Sequence, residues 1–137
     1  MKTKPVLVMD DVTTIIDAAS RHAIEHGWKV TISVVDDGGH LLGLRRLDGA
    51  APSTAVISPG KAQASAMGRR ESSGYEEMIN GGRYAYLSVP GGVMLEGGVP
   101  IVVDGEVVGA VGVSGVKSSQ DVEIGKAGIA AFMASRH

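Results

Sequence analysis

The chain has 137 residues, of which 44% are hydrophobic and 4% aromatic, with 20 glycines, no cysteine and a formal net charge of −2. Its length fits a single domain, residues 1–137, and its charge provides no basic field for nucleic acid. The absence of cysteine excludes disulfides, thiolate metal sites, thioether-attached haem and a cysteine nucleophile.

The N-terminal segment lacks the features of a targeting or membrane signal. Its apolar run, Val6 to Met9, is too short for the core of a signal peptide or for a membrane span. We therefore expect a cytoplasmic protein that has neither a membrane nor a nucleic acid as its partner.

The first predicted elements are a helix and two strands. From Asp10 to Glu25, apolar residues recur with the i, i+3, i+4 spacing of an amphipathic helix. Either of its two leading aspartates is a candidate N-cap, and Gly27 follows as a stop signal. Residues 28–35 are rich in β-branched side chains, and a turn with two glycines separates them from residues 40–47, which predicts a β-hairpin.

The middle of the chain predicts two further helices and a strand. Pro59 lacks the backbone donor that a helix interior requires, so we predict that the second helix begins near Ser58. Ser58 would then be its N-cap, and Pro59 would lie in its first turn. The polar tract at 71–80 predicts a short helix that a glycine pair ends, and Tyr84 to Val89 predicts a strand.

A second hairpin is centred on Asp104-Gly105, which two apolar runs flank. A two-residue turn pairs Ile101 with Val108 and Pro100 with Gly109. Because proline cannot donate to the ladder, Pro100 indicates a local break or bulge. Both faces of this hairpin are apolar, so we expect each to be covered by helices, by another subunit or by a ligand.

A last helix follows, with Ser118 or Ser119 as its predicted N-cap. Gly125 and Gly128 inside it each cost about 1 kcal/mol relative to alanine, and close packing on the sheet would offset that cost. The whole order of elements predicts an α+β fold in which helices pack on an antiparallel sheet of about five strands.

The glycine-rich strand allows an unusually close approach to its backbone. Gly109, Gly112 and Gly115 have no Cβ, so a helix, another backbone or a flat ligand can come near. Two interpretations stay open, namely tight helix-on-sheet packing beside a bulge, or a wall that lines a ligand site. The loop from Gly91 to Pro100 would lie next to such a wall, as binding loops on rigid scaffolds often do.

Three segments carry a resemblance to a known family: VVDDGGHLLGLRRLDGA, KAQASA and GGVPIVVDGEVVGAVGVSGVKSSQD. Together with the helices around them, they resemble the GlcG/HbpS-like haem-binding family, which includes the C-terminal domain of PduO-type proteins. The resemblance implies a profilin-like, three-layer α/β/α sandwich, homo-oligomers from dimers to octamers, and non-covalent haem in some members. The chain departs from the family at Ser58 to Lys61, where relatives have an uninterrupted helix.

Haem without thioether bonds needs an axial donor, an apolar slot and cations for the propionates. The resemblance implies a donor histidine on the first helix, which makes His22 the leading candidate. His26, four residues later, gives a spacing that also suits a metal ion, but two histidines lack a third ligand, and we predict no metal site. The alternative is that both are ordinary helix-end residues.

The candidate cations for a carboxylate or propionate are Lys61, Arg45 and Arg46. Strand alternation puts the two arginines on opposite faces, so one site should not use both. Lys61 also matches a lysine of the family, and its alternative role is a salt bridge with a group such as Asp121. The predicted binding wall consists of Gly97, Gly98, Pro100 and Gly109.

These features predict a homo-oligomeric protein that binds haem or another flat or anionic metabolite, as an accessory or sensor in a catabolic pathway. The alternative is a small cofactor-independent isomerase or lyase, in which Lys61, Arg46 or a histidine polarises a carboxylate or oxo-acid substrate. A third hypothesis is an assembly module without a small-molecule role. The sequence contains no nucleophile elbow, Walker loop or HExxH motif.

Overall fold

The fold is an antiparallel sheet with helices on both faces, as given by a computed structural model that describes residues 1–136. In chain order its elements are α1 (Met9–Glu25), β1 (Thr31–Asp36), β2 (Leu41–Arg46), α2 (Thr54–Gly68), α3 (Ser73–Asn80), a 3₁₀ helix (Tyr84–Ser88), β3 (Gly98–Val103), β4 (Glu106–Ser114) and α4 (Ser118–Ala134). The strand order is β2-β1-β4-β3, and each neighbouring pair is antiparallel. The predicted α+β class and both predicted hairpins are confirmed.

The helices form two unequal layers on the sheet. On one face α1 and α4 pack against each other and cover a core that includes Ile15, Ile32, Ile101 and Ile124. On the other face α2 lies alone on a smaller cluster made of Val35, Ala62, Ala66 and Ala110. Every residue of β1 except the last is buried, because helices cover both of its faces. No helix within residues 1–136 is long and apolar enough to cross a membrane.

The segment predicted as a further strand is a 3₁₀ helix, so the described sheet has four strands rather than about five. One of its two tyrosines, Tyr86, faces a helix instead of a strand partner. The ring of Tyr86 lies 5.5 Å from that of Tyr75 on α3, and the Pro90-Gly91 pair that follows turns the chain away. The β-like composition of this short segment reflects local aromatic packing, and tertiary context overrides such propensities easily.

The prediction for the start of α2 is wrong, because the helix begins at Thr54 and carries Pro59 in its second turn. Ser58 is buried inside the helix and does not cap it. Its Oγ donates to the Gly112 carbonyl oxygen at 2.8 Å and lies 2.8 Å from Ser33 Oγ. A proline this close to the helix start removes one hydrogen bond, and these buried contacts with the sheet help to hold the turn in place.

The register of the second hairpin changes part of the way along. The turn residues Asp104 and Gly105 both have positive φ, at 52° and 77°, as a type I′ turn requires. A bulge lies between Ile101 and Val102, so that Ile101 pairs with Gly109 and Pro100 pairs with Ala110. The predicted bulge is confirmed, whereas the predicted partners of Ile101 and Pro100 are each wrong by one residue.

The predicted caps of the first and last helices are also wrong. The N-cap of α1 is Val8, and the Asp11 carboxylate in the first turn accepts the Val8 N–H at 2.9 Å. The N-cap of α4 is Lys117, so both Ser118 and Ser119 lie inside the helix. An acidic side chain in the first turn can accept hydrogen bonds from backbone N–H groups, and its charge interacts favourably with the helix dipole. These two interactions take the place of the predicted serine and aspartate caps.

Candidate functional site

The predicted glycine wall is occupied by the chain's own atoms. A Cβ on Gly112 would lie 2.5 Å from the backbone nitrogen of Ala62 on α2, and one on Gly98 would lie 2.9 Å from Ser72 Oγ. A Cβ on Gly109 would lie 2.7 Å from Leu7 Cδ1, and Pro100 beside them is half-buried. Packing of α2 therefore accounts for Gly98 and Gly112, and the N-terminal segment accounts for Gly109, so the open space of the molecule lies elsewhere.

Lys61 forms the buried salt bridge that was its alternative role. Its Nζ lies 3.0 Å from Asp121 Oδ2 and donates to the Val113 carbonyl oxygen at 2.9 Å, and the two side chains are 5% and 2% exposed. Burial raises the pKa of Asp121, and the nearby Lys61 ammonium opposes that rise. Gly97 provides room for this pair, because a Cβ there would lie 2.8 Å from Lys61 Nζ. Lys61, one of the three candidate polarising groups of the enzyme hypothesis, is thus held inside the protein, whereas Arg46 and the histidines are not part of this pair.

An open cleft of about 550 Å³ lies where the end of α1 meets the end of β2. It combines apolar and cationic side chains, and its lining residues are Ile24, Gly27, Trp28, Lys29, Arg45, Arg46, Leu47 and Asp48. Its volume is within the range of small-molecule pockets. We refer to it below as the α1–β2 cleft.

Both candidate arginines border this cleft, contrary to the expectation that one site cannot use both. β2 is an edge strand, so a cleft along its open side is accessible to residues from either face. Arg45 is held by Asp17 at 2.9 Å and by Ser20 Oγ at 3.1 Å. Arg46 donates twice to the Ala50 carbonyl oxygen, at 3.0 and 2.8 Å.

His22 and His26 lie beside the α1–β2 cleft without lining it. The His26 ring stacks on Trp28 with centroids 4.4 Å apart, and the two histidine rings are 4.5 Å apart. His26 Nδ1 donates to the His22 carbonyl oxygen at 2.8 Å, which leaves its Nε2 free to bind. His22 Nε2 donates to Glu123 Oε2 of α4 at 2.6 Å.

A second, smaller cleft lies between α2, α3 and the loop after the 3₁₀ helix. It has a volume of about 220 Å³ and is lined by Ala64, Met67, Gly68, Tyr75, Tyr86, Val89, Pro90, Gly91 and Met94. Arg70 and Arg83 lie over the rings of Tyr75 and Tyr86, at 5.1 and 5.0 Å. The predicted binding loop from Gly91 onwards contributes to this cleft, but the candidate histidines and Lys61 do not.

Several residues of these sites were missed from the sequence. Trp28 and Lys29 directly follow Gly27, the predicted end of α1. The single tryptophan of the chain, at the end of a helix, was the one sequence feature that pointed to a site there. Glu123 meets His22 across 101 residues of chain, and no local pattern connects them. The α1–β2 cleft is therefore a product of the tertiary fold.

Comparison with known proteins gives a consistent result. Residues 7–130 match a family model described as "Haem degrading protein HbpS-like". The chain is 54% identical to Protein GlcG of Escherichia coli K12 over 114 residues, which cover 83% of this chain and 85% of that protein.

Two solved structures extend the comparison. A crystal structure of Streptomyces reticuli HbpS, a double mutant, has a TM-score of 0.87 at 27% identity and covers 100% of this chain and 92% of that one. A structure described as a PduOC:heme complex has a TM-score of 0.83 at 25% identity, covering 93% of this chain and 95% of that one.

Proposed function

The chain belongs to the HbpS-like family, and from that premise we propose that it binds a flat, anionic small molecule, with haem as the leading ligand, in the α1–β2 cleft. The observation that carries the proposal is the junction of three features at the end of α1. They are an apolar wall, a group of cations, and a histidine nitrogen without a hydrogen bond. The similar PduOC structure was solved with haem, which supports this choice of ligand.

The cleft suits the two ends of such a ligand. Ile24, Trp28 and Leu47 offer apolar surface for a macrocycle, and Ile24 is 65% exposed, so it loses water contact when a ligand covers it. Lys29 and Arg46 offer positive charge for carboxylates. Any haem bound here would have no thioether bond to the protein, because the chain has no cysteine.

His26 is the better-placed axial donor, although the sequence favoured His22. Its Nδ1–H donates to a backbone carbonyl, an arrangement that fixes the ring and leaves Nε2 as the ligand atom. His22 Nε2 is already used by Glu123, so His22 contributes mainly by positioning His26 through that carbonyl. In a haem complex His26 would provide the nitrogen ligand to the iron, and the cleft would provide the apolar slot and the counter-charges.

The other predicted site residues have a supporting role in this proposal. None of Lys61, Gly97, Gly98, Pro100 and Gly109 lines the cleft, so in this proposal they do not touch the ligand. In this proposal the protein responds to its ligand by binding it in the cleft, as an accessory or sensor protein in a catabolic pathway would.

A hemin titration followed by visible absorbance tests the proposal. We expect a saturable Soret shift at one haem per chain, and about a tenfold or greater loss of affinity in His26→Ala, because the axial nitrogen is removed. His40→Ala is the matched control, since His40 is exposed in the β1–β2 turn, and it should bind like the wild type. A Soret shift that His26→Ala leaves unchanged would overturn the assignment of the site.

A further inference from the structure

The end of α1 and the middle of α4 bring together three side chains that can bind a metal ion. His22 and His26 lie one helical turn apart on α1, and Glu123 reaches them from α4. One ligand atom from each residue lies within 4.8 Å of the other two. The third ligand that the sequence left missing is therefore present, supplied by a helix 101 residues further along the chain from His22.

We propose that His22, His26 and Glu123 form a binding site for a divalent first-row transition-metal ion, with Zn²⁺ as its representative. Two imidazoles and one carboxylate are the ligand set of open zinc sites and of other borderline metal ions. Mg²⁺ and Ca²⁺ prefer all-oxygen ligands, so they should bind poorly here. The metal site shares His26 with the proposed haem site, but its other two ligands, His22 and Glu123, are not ligands of the haem.

The site needs only small movements to close on an ion. In a tetrahedral site with bonds of about 2.0–2.1 Å, neighbouring ligand atoms lie about 3.3 Å apart. His22 Nε2 and Glu123 Oε2 are now 2.6 Å apart, so they would separate slightly, while His26 already offers a ligand atom within 4.8 Å of one from each of the others. The Glu123 side chain is 52% exposed, and its rotation meets little resistance from packing.

The surroundings already orient one of the two exposed ligands, His26. His26 Nδ1 donates to the His22 carbonyl oxygen, which is the outer hydrogen bond that metal-ligating histidines usually make. The stack on Trp28 restrains the ring from one side. Because Glu123 and His26 are exposed, water can complete the coordination of the ion.

Titration of the purified, metal-free chain with Zn²⁺ by calorimetry tests the proposal, with Mg²⁺ as the negative control. We expect one Zn²⁺ per chain, and about a 10- to 100-fold weaker affinity in Glu123→Gln, which retains a hydrogen-bond acceptor for His22 but loses the anionic ligand. Glu25→Gln is the matched control, because it removes an exposed carboxylate from the same end of α1. It should leave Zn²⁺ affinity unchanged.

Two further measurements keep the outcome clear. His26→Ala removes an exposed ligand, so it should fold normally and lose Zn²⁺ binding to the same degree. Ni²⁺ should quench the fluorescence of Trp28, the one tryptophan, in the wild type but not in His26→Ala.

Wild-type Zn²⁺ affinity in both Glu123→Gln and His26→Ala would overturn the proposal and leave the His22–Glu123 contact as a plain interhelical hydrogen bond. Hemin binding that persists in Glu123→Gln would separate the metal proposal from the haem proposal, because the two share only His26 as a ligand.

Discussion

Lys61 and Asp121 show how much of a buried residue's role the sequence leaves open. Both an anion-binding role and this salt bridge were compatible with the sequence, because the two residues lie 60 positions apart. The fold determines which role Lys61 has, because it buries both side chains at the end of β4. The same limit applies to Glu123, whose partners on α1 have no local relation to it in the sequence.

Removal of one member of this pair should be costly. We expect Lys61→Met to lower the free energy of unfolding by about 3–5 kcal/mol, because it leaves a buried carboxylate without its counter-charge. Urea unfolding monitored by circular dichroism would measure the change. The double variant Lys61→Met, Asp121→Leu is the informative control, since it removes both charges and should recover much of the loss. A single variant as stable as the wild type would contradict the assigned role.

The same variant should depend on pH in a defined direction. Burial raises the pKa of Asp121 above that of the unfolded chain, and the loss of Lys61 removes the group that opposes this rise. The native state then binds a proton more readily than the unfolded state, so this carboxyl favours unfolding as pH rises through its native pKa. The stability deficit of Lys61→Met should therefore be smaller at pH 5 than at pH 7, as unfolding curves at the two values would show.

At the scale of elements, the two glycines of α4 have different reasons for lacking a side chain. A Cβ on Gly128 would lie 2.7 Å from the Ile15 carbonyl oxygen, so this position sets the close approach of α4 to α1 rather than to the sheet. A Cβ on Gly125 would lie 3.5 Å from Val99 Cγ2, which is an ordinary contact. Predicted packing on the sheet is confirmed for Gly125 only.

Alanine substitutions at these two positions form a matched pair. Gly128→Ala should destabilise the protein by about 1–3 kcal/mol, because α1 must move away from α4. Gly125→Ala should be neutral or stabilising by up to about 1 kcal/mol, since helix propensity improves without a clash. Thermal unfolding of the two variants side by side would check the difference. Equal effects would show that the α1–α4 distance is not limited by Gly128.

Element types were mostly predictable from local patterns, and the exceptions have physical causes. The α1 periodicity and both hairpins follow from side-chain spacing and turn residues, which act over a few positions. The start of α2 was misplaced because Pro59 is tolerated where Ser58 binds the sheet, a tertiary contact. The 3₁₀ helix was predicted as a strand, whereas its Tyr86 packs against Tyr75 of α3, a tertiary contact.

At the scale of the whole molecule, helices cover both apolar faces of the sheet, so the sheet itself does not require a partner subunit. Exposed apolar side chains remain on the edge strand β2, where Leu41 and Leu44 are 55% and 39% exposed. The expectation of a homo-oligomer now depends on these residues and on the family resemblance. An exposed edge strand with apolar side chains is a suitable surface for pairing with a second copy.

Light scattering after size-exclusion chromatography would test this expectation. We expect the wild-type chain to exceed the monomer mass of 14.1 kDa by an integer factor, and Leu44→Lys to shift it towards the monomer, because a charge would be placed in the contact. Val56→Lys is the control, since Val56 is also exposed, at 73%, but lies on α2. A wild-type monomer, or equal masses for all three proteins, would contradict the role of β2.

The Lys61–Asp121 salt bridge also constrains how the molecule can come apart. It joins α2 to α4, which belong to opposite layers, and the α2 layer has only a small core of its own. If α2 alone were to detach, Asp121 would stay buried without its cation, which would make that partial opening unfavourable. The α2 layer should therefore unfold together with the layer of α1 and α4, and slow amide exchange should extend across both layers.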